Sequence, residues 1–420
     1  MTMSTLGVFH GPRHVGTLRL EKQGRFTFTY ASHWITRQDA FPLSLSLPLQ
    51  EGLFPDDQAR PFFANILPEQ NIRRTIARRL GISEKNDFAL LEALGGECAG
   101  AISVLPEGMT PEKLSQSYVL LDDAALESLV NELPRRPLLA GEEGIRLSLA
   151  GAQDKLPVKY ESGQISLPLD GAPSTHILKI PIPGYEETVY NEAFSMHLAR
   201  RMGLLVPRCE VLQCGRTSAY LVERFDRIRQ GEEIARLHQE DFCQALGILP
   251  EIKYEIEGGP GFAACIHAIR QSCTVPVKDV KRFLEWIAFN FLLGNADAHA
   301  KNISFLYTGK TVALAPFYDL MCTQVYGKQL TDRMAMAIGK ERRLDWVMPR
   351  HWRRCAEEMG LKAQVLKKTV LNMTAKLQEH TMEEAEDFKD VYGRHPLCEK
   401  IAEHVITRAR ETQSHFDLEK

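Results

Sequence analysis

The chain has no long apolar run. Its most hydrophobic stretch, Trp286 to Leu293, is short and broken by Asn290, whereas a membrane span needs roughly 20 apolar residues. The N-terminus lacks the basic, apolar and small-residue succession of a secretory signal. Charge of one sign is also scarce: Lys and Arg number 51 and Asp and Glu 54, for a net charge of −3. That balance excludes a global attraction to nucleic acid. The nine cysteines are dispersed, an odd number with no C-x-x-C pair. Cys209 and Cys214 lie nearest each other, but no second pair completes a zinc set. Scattered thiols fit a reducing cytoplasm better than a disulfide framework. Internal repeats and low-complexity tracts are missing as well. A soluble, cytoplasmic protein without membrane contact is expected. With 420 residues, 44% of them hydrophobic, the chain has material for two or three domains with real cores.

Residues 1–105 read as an N-terminal α/β subdomain. Val15 to Leu20 and Arg25 to Tyr30 alternate about a Gln23-Gly24 turn, with Phe26, Phe28 and Tyr30 on one face, which predicts a hairpin. LSLSLPL at 43–49 alternates up to Pro48 and reads as more β-structure. The stretch 61–105 is mainly helical, with Ile72, Ile76 and Leu80 on one face after Pro68 and Gly81 as a stop. The opposite face carries Arg73, Arg74, Arg78 and Arg79, either a solvated surface or a patch for a partner or nucleic acid. Residues 106–140, rich in Pro, Glu and Ser at both ends of DDAALESLVNEL, read as a connecting segment. Strands return over 141–235 (IRLSL, LPVKY, THILKIP, CEVLQ and AYLVERF), with TVYNEAFSMHLARRMG as the one helix among them. Residues 236–420 are predominantly helical, including 362–379 and 396–413. The fold class is α+β: a small β-rich lobe on a large α-helical lobe, behind the N-terminal subdomain.

The chemistry concentrates in KRFLEWIAFNFLLGNADAHAKN, residues 281–302. A hydrophobic helix with Phe283, Leu284, Ile287, Ala288, Phe291 and Leu292 at helical spacing runs into Gly294-Asn295. Asp297, His299, Lys301 and Asn302 then crowd one loop. The separation of Asp297 and Asn302 is the Asp-x-x-x-x-Asn of a protein-kinase catalytic loop, in which the Asp takes the acceptor proton and the Asn holds magnesium. ALAPFYDLM supplies Asp319 as a second metal-binding carboxylate, or as a helix N-cap. The lobes thus read as a two-lobed, protein-kinase-like fold, and the reaction as phosphoryl transfer from ATP with Mg2+.

Each further part of such a site has a candidate with a plainer alternative. In SLAGAQDK, residues 148–155, the small Ala150, Gly151 and Ala152 let backbone amides approach phosphate, and Lys155 adds charge. The stretch is neither GxGxxG nor a Walker sequence, and an ordinary hairpin loop would read the same. Lys179 in an apolar strand either snorkels to solvent or faces an anion. Glu192 on the next helix is a partner for that lysine or a surface carboxylate. In YLVERFDR, backbone groups of Glu223, Arg224 and Phe225 suit an adenine edge and Phe225 its face, unless this is a plain edge strand. His299 is a nucleotide contact, a cap or a core histidine.

These stretches, in this order, resemble the HipA family of serine/threonine-kinase toxins from bacterial type II toxin–antitoxin systems. The resemblance rests on SLAGAQDK, HILKIP, YNEAFSMHLARRMGL, YLVERFDR, RLHQEDFCQALG, FNFLLGNADAHAKNISF and LAPFYDLM. VGTLRL, LSLSLPL, FFANILPE and GGECAGAISVLP extend it over the amino-terminal 105 residues. It implies Asp297 as catalytic base and ATP contacts from Ala150, Gly151, Ala152, Gln153, Asp154, Lys155, Lys179, Glu223, Arg224, Phe225, His299, Ala300, Lys301, Asn302, Tyr318 and Asp319. Asn302 and Asp319 would hold magnesium. Ser148 matches the loop serine on which members phosphorylate themselves, and a dianion there would repel ATP phosphates and silence the enzyme. Asp154 departs from the expected Glu by one methylene. The resemblance further implies a HipB-like helix-turn-helix antitoxin, operator DNA bound through that complex, and an aminoacyl-tRNA synthetase as protein substrate.

Two readings of other classes stand beside it. A small-molecule kinase of aminoglycoside or choline type shares the loop but leaves residues 1–105 and AGAQDK unexplained. A pseudokinase corepressor with a DNA-binding partner would be favoured by the loss of Asp297, Asn302 or Asp319, all of which are present.

Overall fold

A computed structural model describes residues 4–231 and 233–418. The chain divides into two compact units. The first comprises Met1–Ile180, Leu212–Glu251 and Phe305–Val312; the second comprises Pro181–Val211, Ile252–Ser304 and Ala313–Lys420.

The first unit is built on two antiparallel sheets. Five strands run in the order Leu53–Phe54, Phe26–Tyr30, Arg13–Leu20, Ser4–His10 and Ile102–Pro106. The predicted hairpin is there, in register from Gly16 opposite Tyr30 to Leu20 opposite Phe26. Phe26, Phe28 and Tyr30 turn inward together, as the alternation requires. The second sheet orders its strands Cys209–Cys214, Thr217–Glu223, His176–Lys179, Lys155–Glu161, Gln164–Leu169 and Ser117–Leu121. The helix Gln70–Leu80 ends at a left-handed Gly81, one residue past its last turn. Three of its four arginines are engaged close by: Arg73 with Asp87, Arg74 with Glu84, and Arg79 with Glu142. That arrangement favours the solvated-surface reading of this face.

Two expected strands are not strands. LSLSLPL forms a turn closed by an isolated bridge between Ser44 and Leu47. Its alternation has another cause: Leu43 and Leu47 are buried, while Ser44 and Ser46 donate to the Gln244 carbonyl at 3.0 and 2.9 Å. IRLSL keeps only a bridge from Leu147 to Glu97. Its backbone is spent on the amino-terminal subdomain, with the Ser148 N–H donating to the Glu97 carbonyl at 2.9 Å. The stretch beyond 236 also holds strands, namely His238–Asp241, Ser304–Thr308, Thr311–Leu314 and the pair Arg333–Ile338 and Glu341–Arg343.

The second unit is mainly helical. Its central helix, Pro276–Leu293, is apolar on nearly every side from Phe283 onward and is correspondingly buried. Around it stand Phe262–Ser272, Ala363–Tyr392 and Pro396–Leu418, and Thr188–Arg201 packs on the last two. Phe291 meets Trp352 edge-on at 5.1 Å, and Phe194 meets Phe388 at 5.4 Å. Among the described residues no helix is long and apolar enough to cross a membrane.

Candidate active site

In the second unit the site is made where the central helix stops. Gly294 takes φ +80°, and its N–H bonds back to Asn290 and Phe291 carbonyls. The turn is then stitched twice. Asn290 donates to the Trp286 carbonyl and receives the Asn295 side-chain amide, at 2.9 and 2.8 Å. Thr323 donates to the Gly294 carbonyl at 3.0 Å and accepts the Ala296 N–H at 2.9 Å. Asp297 therefore leaves a rigid base with its side chain exposed. The Asn302 amide donates to the Asp297 carbonyl at 3.1 Å, which spends its nitrogen and leaves its oxygen as the acceptor. His299 is buried and makes no capping bond, so the cap reading fails. Its ring packs edge-on against Tyr254 at 5.4 Å.

Tyr318 joins this loop by donating to the Lys301 carbonyl at 2.8 Å. Asp319 follows at φ +54°, a left-handed conformation that costs a non-glycine residue about 1 kcal/mol or more. No helix starts there, so Asp319 is not an N-cap. The backbone on both sides is clamped. Arg282 reaches the Leu314 and Ala315 carbonyls at 2.6 and 2.8 Å. Fully buried Asn191 both donates to and accepts from the Cys322 backbone at 2.9 Å. An amide oxygen and a carboxylate are hard donors of the kind magnesium takes, so Asn302 and Asp319 fit that ion. Among the described residues no cluster of three or more His, Cys, Asp or Glu could hold a metal by itself.

Apart from Glu192, the other expected residues lie in the first unit. Lys155 and Lys179 are register partners on adjacent strands, which puts two cations side by side. Lys179 is only 6% exposed, with its ammonium 5.6 Å from the Tyr220 ring centroid, so it does not snorkel. Lys155 donates to the Ala150 carbonyl, and Gln153 to that of Ile180 at 2.9 Å. Asp154 keeps Oδ1 buried without a hydrogen bond, and burial pushes its carboxyl up to about 6. Glu192, on the helix Thr188–Arg201 of the second unit, is buried rather than a surface carboxylate.

Ser148 is fully buried and donates to the Ile66 carbonyl at 3.0 Å. Glu223 is exposed and Phe225 half-buried, but Arg224 between them points inward. Its guanidinium joins a buried charge cluster with Asp226, Arg227 and Glu97. Glu97 also accepts from the Ser174 N–H and hydroxyl, both at 3.0 Å. Burial opposes its charge, yet Arg224, Arg227 and Arg236 outweigh that and hold the carboxyl at about 2. Sequence reasoning missed Glu97, Asn191 and Tyr254, the last donating to Asp297 Oδ1 at 2.8 Å. The run Gly258-Gly259-Pro260-Gly261 just after Tyr254 was the available signal.

Known proteins match both parts of the chain. The HipA-like C-terminal domain matches residues 147–381 and the HipA N-terminal domain residues 6–105. The chain is 40% identical to the Sinorhizobium fredii protein Y4mE over 98% of its own length and 99% of that protein's. It is 33% identical to the serine/threonine-protein kinase toxin HipA of Shewanella oneidensis, over 80% of this chain and 79% of that one. A solved Shewanella oneidensis complex of HipA, HipB and operator DNA contains a chain that superposes with a TM-score of 0.84 at 28% identity, covering 98% of both. With both domains matched in order, this chain belongs to the HipA family of serine/threonine-kinase toxins.

Proposed function

We propose that the protein transfers the γ-phosphoryl group of ATP to a protein serine or threonine, with Asp297 as base and Asn302 and Asp319 as magnesium ligands. The observation that carries this reading is the Asn302 amide bonded to the Asp297 carbonyl, which fixes base and metal ligand in one turn. Ala150, Gly151, Ala152, Gln153, Asp154 and Lys155 form the phosphate loop, with Lys155 and Lys179 as its cations. Glu223 and Phe225, anchored by inward-pointing Arg224, take the adenine. His299, Ala300, Lys301 and Tyr318 complete the nucleotide contacts. Bound magnesium would neutralise charge on the transferring phosphates. Asp297 accepts the proton of the acceptor hydroxyl, and the cations hold the phosphates in line.

The biological role follows the family. The protein acts as a toxin countered by a HipB-like antitoxin, meets operator DNA through that complex, and inhibits translation by phosphorylating an aminoacyl-tRNA synthetase. Ser148 is its own acceptor. Because that hydroxyl is buried against Ile66, transfer to it requires the loop to leave its seat. A dianion at this position cannot return without repelling ATP, so the loop stays out and the enzyme is silenced.

The test is incubation of wild type and Asp297→Ala with labelled ATP and magnesium, with the label located by mass spectrometry. Label on Ser148 in wild type alone is expected. An equally labelled Asp297→Ala protein would remove Asp297 as base, and a wild type that neither binds ATP nor takes label would remove the reading altogether.

A further inference from the structure

The catalytic loop is held from outside its own helix as well. The segment Lys253 to Gly261, KYEIEGGPG, belongs to the same compact unit and sends the Tyr254 hydroxyl to Asp297 Oδ1 at 2.8 Å. This phenol is placed by a framework rather than by free rotation of a surface side chain. The Tyr254 carbonyl accepts the N–H groups of Glu257 and Gly259 at 3.0 and 2.9 Å, which curls the segment on itself. Gly259 is required there, because a Cβ would come within 2.4 Å of the Ile252 carbonyl oxygen. Glu255 accepts the Ala337 N–H at 2.5 Å, fastening the segment to the strand Arg333–Ile338. That strand also donates the Ala335 N–H to the Ala296 carbonyl, next to Asp297, at 2.8 Å. Bracket and catalytic loop are thus tied to neighbouring positions of one strand, and the Tyr254–Asp297 bond closes the figure.

We infer that Tyr254 is a positioning residue for phosphoryl transfer: its hydroxyl donates to one carboxylate oxygen of Asp297 and so presents the other to the acceptor. The inference rests on Asp297 being the base. A carboxylate turns about its Cβ–Cγ bond, and a donor fixed on one oxygen stops that rotation. A phenol does this as a neutral group, without the counter-charge that lysine or arginine would add beside a base. In the reaction the acceptor oxygen forms the new P–O bond and the bond to the ADP oxygen breaks. The acceptor proton goes to Asp297, and Tyr254 keeps its own proton throughout. The edge-on contact with His299 restrains the ring during that step.

The experiment compares wild type, Tyr254→Phe, Asp297→Asn and the double variant, each folded and loaded with magnesium and ATP. The readouts are ADP formed per enzyme, whether phosphate reaches protein or water, and ATP affinity by calorimetry. Tyr254→Phe loses only the hydroxyl, and is expected to lower kcat roughly ten- to a hundredfold with ATP affinity unchanged. Adding it to Asp297→Asn costs nothing further, since a residue that acts only through Asp297 has nothing left to position. A wild-type kcat in Tyr254→Phe beside an inactive Asp297→Asn overturns the inference alone, as does a raised kcat, which would make the phenol a blocker. An active Asp297→Asn instead sinks the reading on which the inference rests.

Discussion

At the scale of single residues, the decisive contacts are those that spend a polar group completely. Glu97 has two arginines and Ser174 around one fully buried carboxylate, and its own carbonyl takes the Ser148 N–H. One residue therefore braces both the segment leading into residues 150–155 and the segment after Glu223. Glu97→Gln leaves Arg224 and Arg227 buried with only Asp226 for a counter-charge, and removing one partner of such a set costs about 3–5 kcal/mol. Chemical denaturation should register a loss of that size. A midpoint equal to wild type would mean that the arginines are satisfied without Glu97. Lys179 teaches the converse: in sequence it looked able to snorkel, yet both neighbouring strands flank it.

At the scale of elements, the helix end at Gly294 sets where Asp297 stands. Its left-handed backbone and its position against His404, whose Nε2 would lie 2.5 Å from an added Cβ, both exclude a side chain. Gly294→Ala should cost roughly 1–2 kcal/mol from the backbone alone. It should also lower kcat, as the stitched turn shifts to relieve the contact, and unchanged turnover would show that the loop tolerates the shift. The helices Thr188–Arg201 and Ala363–Tyr392 meet through an ionic contact in which Glu384 takes Arg201 and faces His197 Nδ1 at 3.6 Å. Burial lowers the His197 pKa, but hydrogen bonds to Cys209 and Glu384 outweigh it and raise the imidazole to about 9. A folded pKa above the ordinary 6.5 means that this stabilisation is fully present below 6.5 and disappears as pH rises through about 9. Unfolding free energies of wild type and His197→Gln should therefore differ most at pH 6 and converge by pH 10. A constant gap across that range would show that the charge contributes nothing.

At the scale of the molecule, the amino-terminal 105 residues are not an appendage. One continuous apolar core runs from Leu6 and Val8 through Phe63 and Leu91 to Leu178 and Leu221. Polar contacts follow the same path, with Asn65 donating to the Ile248 carbonyl at 2.7 Å and Gln244 to that of Phe62 at 3.0 Å. A fragment beginning at residue 106 should therefore expose half of this core and fail to give a cooperative thermal transition. A soluble fragment with a sharp transition would show that the remaining sheet closes its own core. Such continuity also accounts for the ambiguity of LSLSLPL and IRLSL. Both alternate because they lie between packed elements, not because they pair as strands.

The sequence by itself determined the polar loop after Gly294, its helix, the Asp297–Asn302 spacing, the β-hairpin and the family, because each is written in residues close together along the chain. Periodicity reports which face is buried, and glycine reports where a helix stops. Tertiary structure alone decided that Ser148 is buried, that Lys179 does not reach solvent, and that Asp319 sits in a strained backbone instead of capping a helix. It alone brought Glu97 to Arg224, Asn191 to Cys322 and Tyr254 to Asp297, pairs separated by 127, 131 and 43 residues. A hydrogen bond needs its partner within about 3 Å, and no local pattern records which distant residue the folded chain will supply.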